Sequence, residues 1–135
     1  MADFAKLSMK GLYSKSSDYS DPVTTFRPSA YEPATANVDE YFHVEVLANL
    51  SGDTPGHTTI DTSIIGAASL LVIKNNDTTN YVTATFDCAG MGSTDTSVRI
   101  HAGGFFVTTD FTTAEELKLV ANTGRCECEI FIVGT

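Results

Sequence analysis

Apolar and polar positions take turns along most of the chain beyond residue 40. Phe42, Val44, Val46 and Ala48 alternate with His43, Glu45, Leu47 and Asn49. Val82, Ala84, Phe86 and Cys88 alternate with Tyr81, Thr83, Thr85 and Asp87. Val98, Ile100 and Ala102 do the same with Arg99 and His101. A period of two is what a strand with one buried face requires. Residues 69–74 break the alternation with a continuous apolar run, the pattern of a central strand covered on both faces. Residues 57–62, 105–108, 117–121 and 126–133 bring the predicted strands to about eight. Between them lie clusters of Gly, Asn, Asp, Ser and Thr that suit tight turns, notably 51–56, 75–80, 90–96, 103–104 and 122–125. Thr113-Ala-Glu-Glu116 has capping-box form and predicts one helical turn. The fold class that follows is all-β: a single β-sandwich, jelly-roll-like, over residues 41–135. Its expected core is Val44, Val46, Leu71, Ile73, Val82, Ala84, Phe86, Val98, Ile100, Leu117, Leu119, Cys126, Cys128, Ile130 and Ile132.

Residues 1–40 read differently. They hold three of the four prolines, Pro22, Pro28 and Pro33, and no alternating run. Prolines at that spacing block both a long helix and a central strand, so this segment is expected to be an extended N-terminal arm. Asp3 can cap a short helix over residues 3–10, in which Phe4 and Leu7 share a face. The arm carries Phe4, Leu7, Leu12, Tyr13, Tyr19, Phe26 and Tyr31, more large apolar groups than a free linker holds. These seven are the candidate interface residues, expected to dock on a neighbouring subunit.

Charge separates the same two regions. Residues 1–27 carry four basic and three acidic side chains, whereas 28–135 carry four basic and fourteen acidic ones. The chain as a whole has a formal net charge of -9, which excludes phosphate-backbone recognition and anionic membrane surfaces as expected partners. With 19 Thr and no Trp among 135 residues, composition favours strands and turns in one domain. The start of the chain has neither the basic segment nor the apolar run of a secretory signal, so synthesis and folding in a cytoplasm are expected.

Chemistry-bearing motifs are sparse. Cys126 and Cys128 lie two apart, which in a strand puts both thiols on one face and Glu127 and Glu129 on the other. Without a second cysteine pair they read as small buried groups rather than half a zinc site. His43, His57 and His101 fall on three different strands or turns, with no metal-ligand spacing. There is no nucleophile elbow and no phosphate loop, and the paired carboxylates are adjacent or outward-facing. Asn75-Asn-Asp-Thr-Thr-Asn80 offers oxygen atoms to calcium but lacks the spacing of a defined loop, and reads as an Asn/Asp turn. No catalytic, cofactor-binding or metal residue is therefore expected, nor enzyme activity. Tyr81, on an outward strand face, is the one aromatic that suits sugar stacking, which keeps a carbohydrate-binding module as an alternative.

Three stretches carry a resemblance: Ser69-Leu-Leu-Val-Ile-Lys-Asn-Asn-Asp-Thr-Thr-Asn-Tyr-Val82, Val98-Arg-Ile-His-Ala-Gly-Gly-Phe-Phe-Val107, and Leu117-Lys-Leu-Val-Ala-Asn-Thr-Gly124 with the closing strand. Together they resemble small β-sandwich virion structural proteins of tailed bacteriophages, over about residues 41–135. The resemblance implies a capsid cement (decoration) protein acting as a homo-oligomer such as a trimer, in contact with the major capsid protein. It equally suits a tail, baseplate or fibre component. The implied location is the virion, assembled in the host cytoplasm.

Overall fold

The computed structural model describes residues 7–13, 24–26, 38–48, 56–62, 65, 68–88, 95–109, 111 and 116–134. Ten strands run in chain order: β1 (Gly11–Tyr13), β2 (Thr24–Phe26), β3 (Val38–Val46), β4 (Thr58–Ile60), β5 (Ala68–Asn75), β6 (Val82–Asp87), β7 (Asp95–Ile100), β8 (Phe105–Thr108), β9 (Leu117–Ala121) and β10 (Cys126–Gly134). There is no helix among the described residues.

Strands β3 to β10 pair as if one long hairpin had been rolled up. The first pairs with the last, β3 with β10, then β4 with β9, β5 with β8 and β6 with β7, all antiparallel. Rolling adds two further pairings, β10 with β5 and β6 with β9. The result is two four-stranded sheets, ordered β3-β10-β5-β8 and β4-β9-β6-β7. This is a jelly-roll sandwich, and it agrees with the fold class expected from the alternation.

Burial follows the period of two. In β9 Leu117, Leu119 and Ala121 point inward, and in β10 Cys126, Cys128, Ile130 and Ile132 do so. They meet Val46, Leu71, Ile73, Val82, Ala84, Phe86 and Ile100 in one core between the sheets. Thirteen of the fifteen expected core residues are fully buried there; Val44 and Val98 are half-buried at its margin. Val44 lies on β3 and Val98 on β7, both outermost in their sheets, so neither is flanked on both sides. Phe86 stacks on Phe106 and Phe111, with ring centroids 5.5 and 6.1 Å apart, and so ties β6 to β8 across the core. The crossing from β3 to the second sheet is pinned at Leu47. Its N–H donates to Thr58 Oγ1 at 2.9 Å, and its carbonyl accepts from Ala121 N–H at 3.0 Å.

Two features of the N-terminal region differ from the sequence reading. β3 begins at Val38, inside the segment assigned to the arm, because pairing with β10 continues to Gly134. Within the arm, β1 and β2 form an antiparallel pair with Leu12 opposite Thr25. Three-residue strands leave no alternation to read, so the period signal was silent there. Residues 7–10 are not helical; the rest of the proposed 3–10 helix and the capping-box turn at 113–115 lie outside the described residues.

Candidate functional site

One end of the sandwich gathers the turns that follow β5, β7 and β9, and Asn75 fastens the first two of them together. Its side chain is fully buried at the end of β5. Nδ2 donates toward the carbonyls of Asn80 at 2.9 Å, Ile100 at 3.2 Å and His101 at 3.2 Å. Oδ1 accepts the N–H of Asp77 at 3.0 Å. The next oxygens along the loop are used in the same way. Asp77 Oδ1 accepts the N–H groups of Thr79 and Asn80, Asn80 Oδ1 accepts the Thr123 hydroxyl, and Asn122 Oδ1 accepts the N–H of Tyr81. The N–H of Asn80, then that of Thr79, hold the Asp77 carboxyl below its ordinary pKa of 3.8. Lys74 Nζ donates to the carbonyl of Gly103. Gly103 occupies the left-handed region at φ 68°, which the turn between β7 and β8 requires.

Beside this end lies an open depression of about 320 Å³ lined by Glu45, Asn76, Asp77, Thr78, Arg125, Cys126 and Glu127. Arg125 pairs with Glu45 at 2.8 Å, and His43 Nε2 lies 3.3 Å from Glu127. Asn76 donates to Glu129 at 2.8 Å. These are exposed pairs on the outer face of the β3-β10-β5-β8 sheet, worth at most about 1 kcal/mol each.

That outer face changes character along β10. Glu127 and Glu129 stand opposite Glu45 and His43, whereas Phe131 and Val133 stand opposite Tyr41 and Asp39 on β3, and Val72 and Leu70 on β5. Val72 in turn stands opposite Val107 on β8. Leu70 and Val133 are fully buried, with Val72, Val107, Phe131 and Leu7 packed around them. A second, smaller apolar cluster therefore lies outside the sandwich, and among the described residues Leu7 of the arm packs on it from outside the sheet. The continuous apolar run at 69–74 predicted a strand covered on both faces, and this cluster is its second cover.

Of the seven candidate interface residues, Leu7 thus packs against its own domain. Leu12, Tyr13 and Phe26 lie in the β1/β2 pair, and Phe4, Tyr19 and Tyr31 lie outside the described residues. The three histidines are not brought together: His43 faces Glu127, His57 precedes β4, and His101 meets Tyr81 edge-on at 6.4 Å. No group of three or more potential metal-binding side chains occurs among the described residues. Cys126 and Cys128 are buried free thiols, with their neighbouring glutamates on the opposite face. Burial pushes the Cys126 thiol up to about 11 and the Cys128 thiol up to about 12. Tyr81 stands half-exposed with the Arg99 guanidinium 4.3 Å from its ring centroid, so one face of the ring is already occupied. No helix among the described residues is long and apolar enough to cross a membrane.

Sequence reading missed two things here. Asn75 looked like one turn residue among several, although an Asn that ends a buried strand is a signal for a buried amide. The outer patch was missed because Phe131 and Val133 occupy outward positions in a strand whose first half, Glu127 and Glu129, is polar. Comparison with known proteins finds no matching family model, no matching curated protein and no matching solved structure.

Proposed function

We propose that this chain is a structural protein of a bacteriophage virion, a capsid cement (decoration) protein that stabilises the shell by contacts bridging neighbouring subunits. The observation that carries the reading is the pairing of a jelly-roll body with an arm whose Leu7 packs on an apolar patch of that body, at Leu70 and Val133. A bridging protein needs a firm body, an extended element and a surface that accepts such an element. Each apolar side chain so buried contributes on the order of 1.5–3 kcal/mol, and many copies on a shell multiply weak contacts into stable attachment. The resemblance of residues 41–135 to phage virion sandwiches supports the same role. The strongly acidic domain suits a particle exterior, away from a packaged genome. In this reading the partners are further copies of the chain and the major capsid protein.

Electron microscopy of purified particles tests the role. Hundreds of copies over the shell are expected; a few copies at one vertex or along the tail would make it a tail, baseplate or fibre component instead. Binding to intact empty capsids, with no response in a glycan titration, is the expected solution behaviour. The capped ring of Tyr81 weighs against the sugar-binding alternative.

A further inference from the structure

We propose that the β6–β7 hairpin binds a divalent cation, calcium by preference, between the carboxylates of Asp87 and Asp95. The inference goes beyond the structural role above and does not rest on it.

Asp87 is where the alternation of β6 breaks. Val82, Ala84 and Phe86 are buried inward positions, and Thr83 and Thr85 are half-buried outward ones. Asp87 comes next in the outward series, yet it is buried too. Only 4% of it is exposed, and its Oδ1 has no hydrogen-bond partner. A buried carboxylate oxygen is costly unless a donor or a cation meets it. The strand pairing adds to the cost. The β6–β7 register runs without a shift from Val82 opposite Ile100 to Asp87 opposite Asp95. Directly opposite residues share one face of a sheet, with Cβ atoms roughly 4.5–5.5 Å apart, and like charges so placed repel. The basic side chains on this face are engaged elsewhere. Lys118, opposite Thr85 on the other side of β6, reaches Glu116 at 3.8 Å, and the Arg99 guanidinium lies over the Tyr81 ring.

One ion answers both features. Calcium takes carboxylate oxygens at about 2.3–2.6 Å, so a single ion meets oxygens of two side chains rooted that far apart. Its charge offsets the repulsion, and it supplies the partner that Asp87 Oδ1 lacks. Calcium is favoured over magnesium because a buried oxygen requires an ion that sheds water on that side, and magnesium does so reluctantly. Two strand carboxylates are fewer than a closed metal centre uses, and no group of three or more occurs among the described residues. Affinity therefore falls at the weak end for calcium, with a Kd of about 1 mM and water completing the shell. The fourteen acidic against four basic side chains of residues 28–135 raise the local concentration of cations. Ligand spacing along the chain gave no sign of this pair, because Asp87 and Asp95 become neighbours only through the β6–β7 register.

The test uses the purified full chain after treatment with a chelator. Thermal unfolding is followed in 10 mM calcium chloride and in sodium chloride of equal ionic strength, which separates binding from screening. With a Kd of about 1 mM, calcium should raise Tm by about 5 °C over the sodium control. Calorimetric titration should give one site, with a smaller response to magnesium. Asp87→Asn keeps the shape and removes the charge. It should hold or raise Tm in the absence of calcium and lose the calcium response. Asp95→Asn provides a second variant should the first fold poorly, and it should weaken calcium binding at least tenfold. An equal Tm in calcium and sodium would overturn the proposal. So would a calcium response that survives in Asp87→Asn or in Asp95→Asn, since that is diffuse attraction to an acidic surface.

Discussion

Replacing Asn75 by Ala should destabilise the domain by about 3 kcal/mol, more than any other single polar substitution at the turn end. The amide has two donor hydrogens directed into three carbonyls, Asn80, Ile100 and His101, and one acceptor that receives Asp77 N–H. Truncation removes two donors and one acceptor. A buried hydrogen bond is worth about 0.5–1.5 kcal/mol net, which gives roughly 3 kcal/mol for three. In a domain of this size that corresponds to a fall in Tm on the order of 10 °C. Asn75→Asp should be worse than Asn75→Ala, because it turns a carboxylate oxygen toward carbonyls that need a donor. Asn76→Ala is the control: its side chain is exposed and makes one bond, to Glu129, so its cost should stay within about 0.5 kcal/mol. Urea titration of the four proteins measures the differences, and an unchanged slope with denaturant ties them to native-state stability rather than to a changed unfolded state. An Asn75→Ala loss below about 1 kcal/mol, or one equal to that of Asn76→Ala, would refute the assignment of Asn75 as the fastening between the turns that follow β5 and β7.

Further outcomes are open to the same assays. Gly104→Ala should cost about 1–3 kcal/mol, because its new methyl group meets the His101 carbonyl oxygen at 2.9 Å, and Gly103→Ala should cost about 1 kcal/mol through its positive φ alone; a neutral Gly104→Ala would mean the turn shifts freely. Native protein should leave Cys126 and Cys128 unreactive toward a thiol reagent until urea unfolds it. Their folded pKa values lie above the ordinary 9.0, so the stability they contribute is present below pH 9 and lost as pH rises toward 11 and 12; stability that rose over that interval would contradict their burial. Phe105 is 64% exposed on the edge strand β8, so Phe105→Ser should leave the unfolding free energy from urea titration within about 0.5 kcal/mol of the parent while raising the temperature at which the protein aggregates.

How much of this was legible depends on whether a residue's role is local. Alternation in 81–88 and 117–121 located β6 and β9 almost to the residue, since a period of two is imposed by the sheet itself. The sandwich followed from the number of such runs. Which strand pairs with which did not, because β3 and β10 are partners from opposite ends of the domain and their register is a property of the rolled topology. Leu70 and Val133 were invisible as a pair for the same reason: both face outward, and only the β5–β10 register sets them side by side. Phe111 and Ile65 are fully buried yet belong to none of the strands, so no period of two marks them. The β1/β2 pair was beyond reach because three residues are too few to show an alternation.

The Asn/Asp-rich loop and the apolar outer face bear on function in opposite ways. In sequence the loop looks like the place for a ligand, since it has the densest collection of side-chain oxygens. In the structure, Asn75, Asp77, Asn80 and Asn122 each turn an oxygen toward an N–H or O–H of the protein itself. A cation bound by those oxygens would stand where these hydrogens now approach, and would undo the bonds that hold three turns together. The loop's polarity is thus consumed in building one firm end of the sandwich. The outer face is the reverse. Its sequence positions look like ordinary outward residues of β5, β8 and β10, yet Val72, Val107 and Phe131 remain half-buried around a cluster to which the two-sheet core contributes nothing. Polar groups satisfied internally direct a protein toward rigidity, and apolar groups gathered outside its core direct it toward contact. In this chain both kinds of group find their partners within the chain: the loop oxygens take its own N–H and O–H groups, and the outer cluster is packed by its own Leu7, so the loop contributes firmness and the outer face holds the arm.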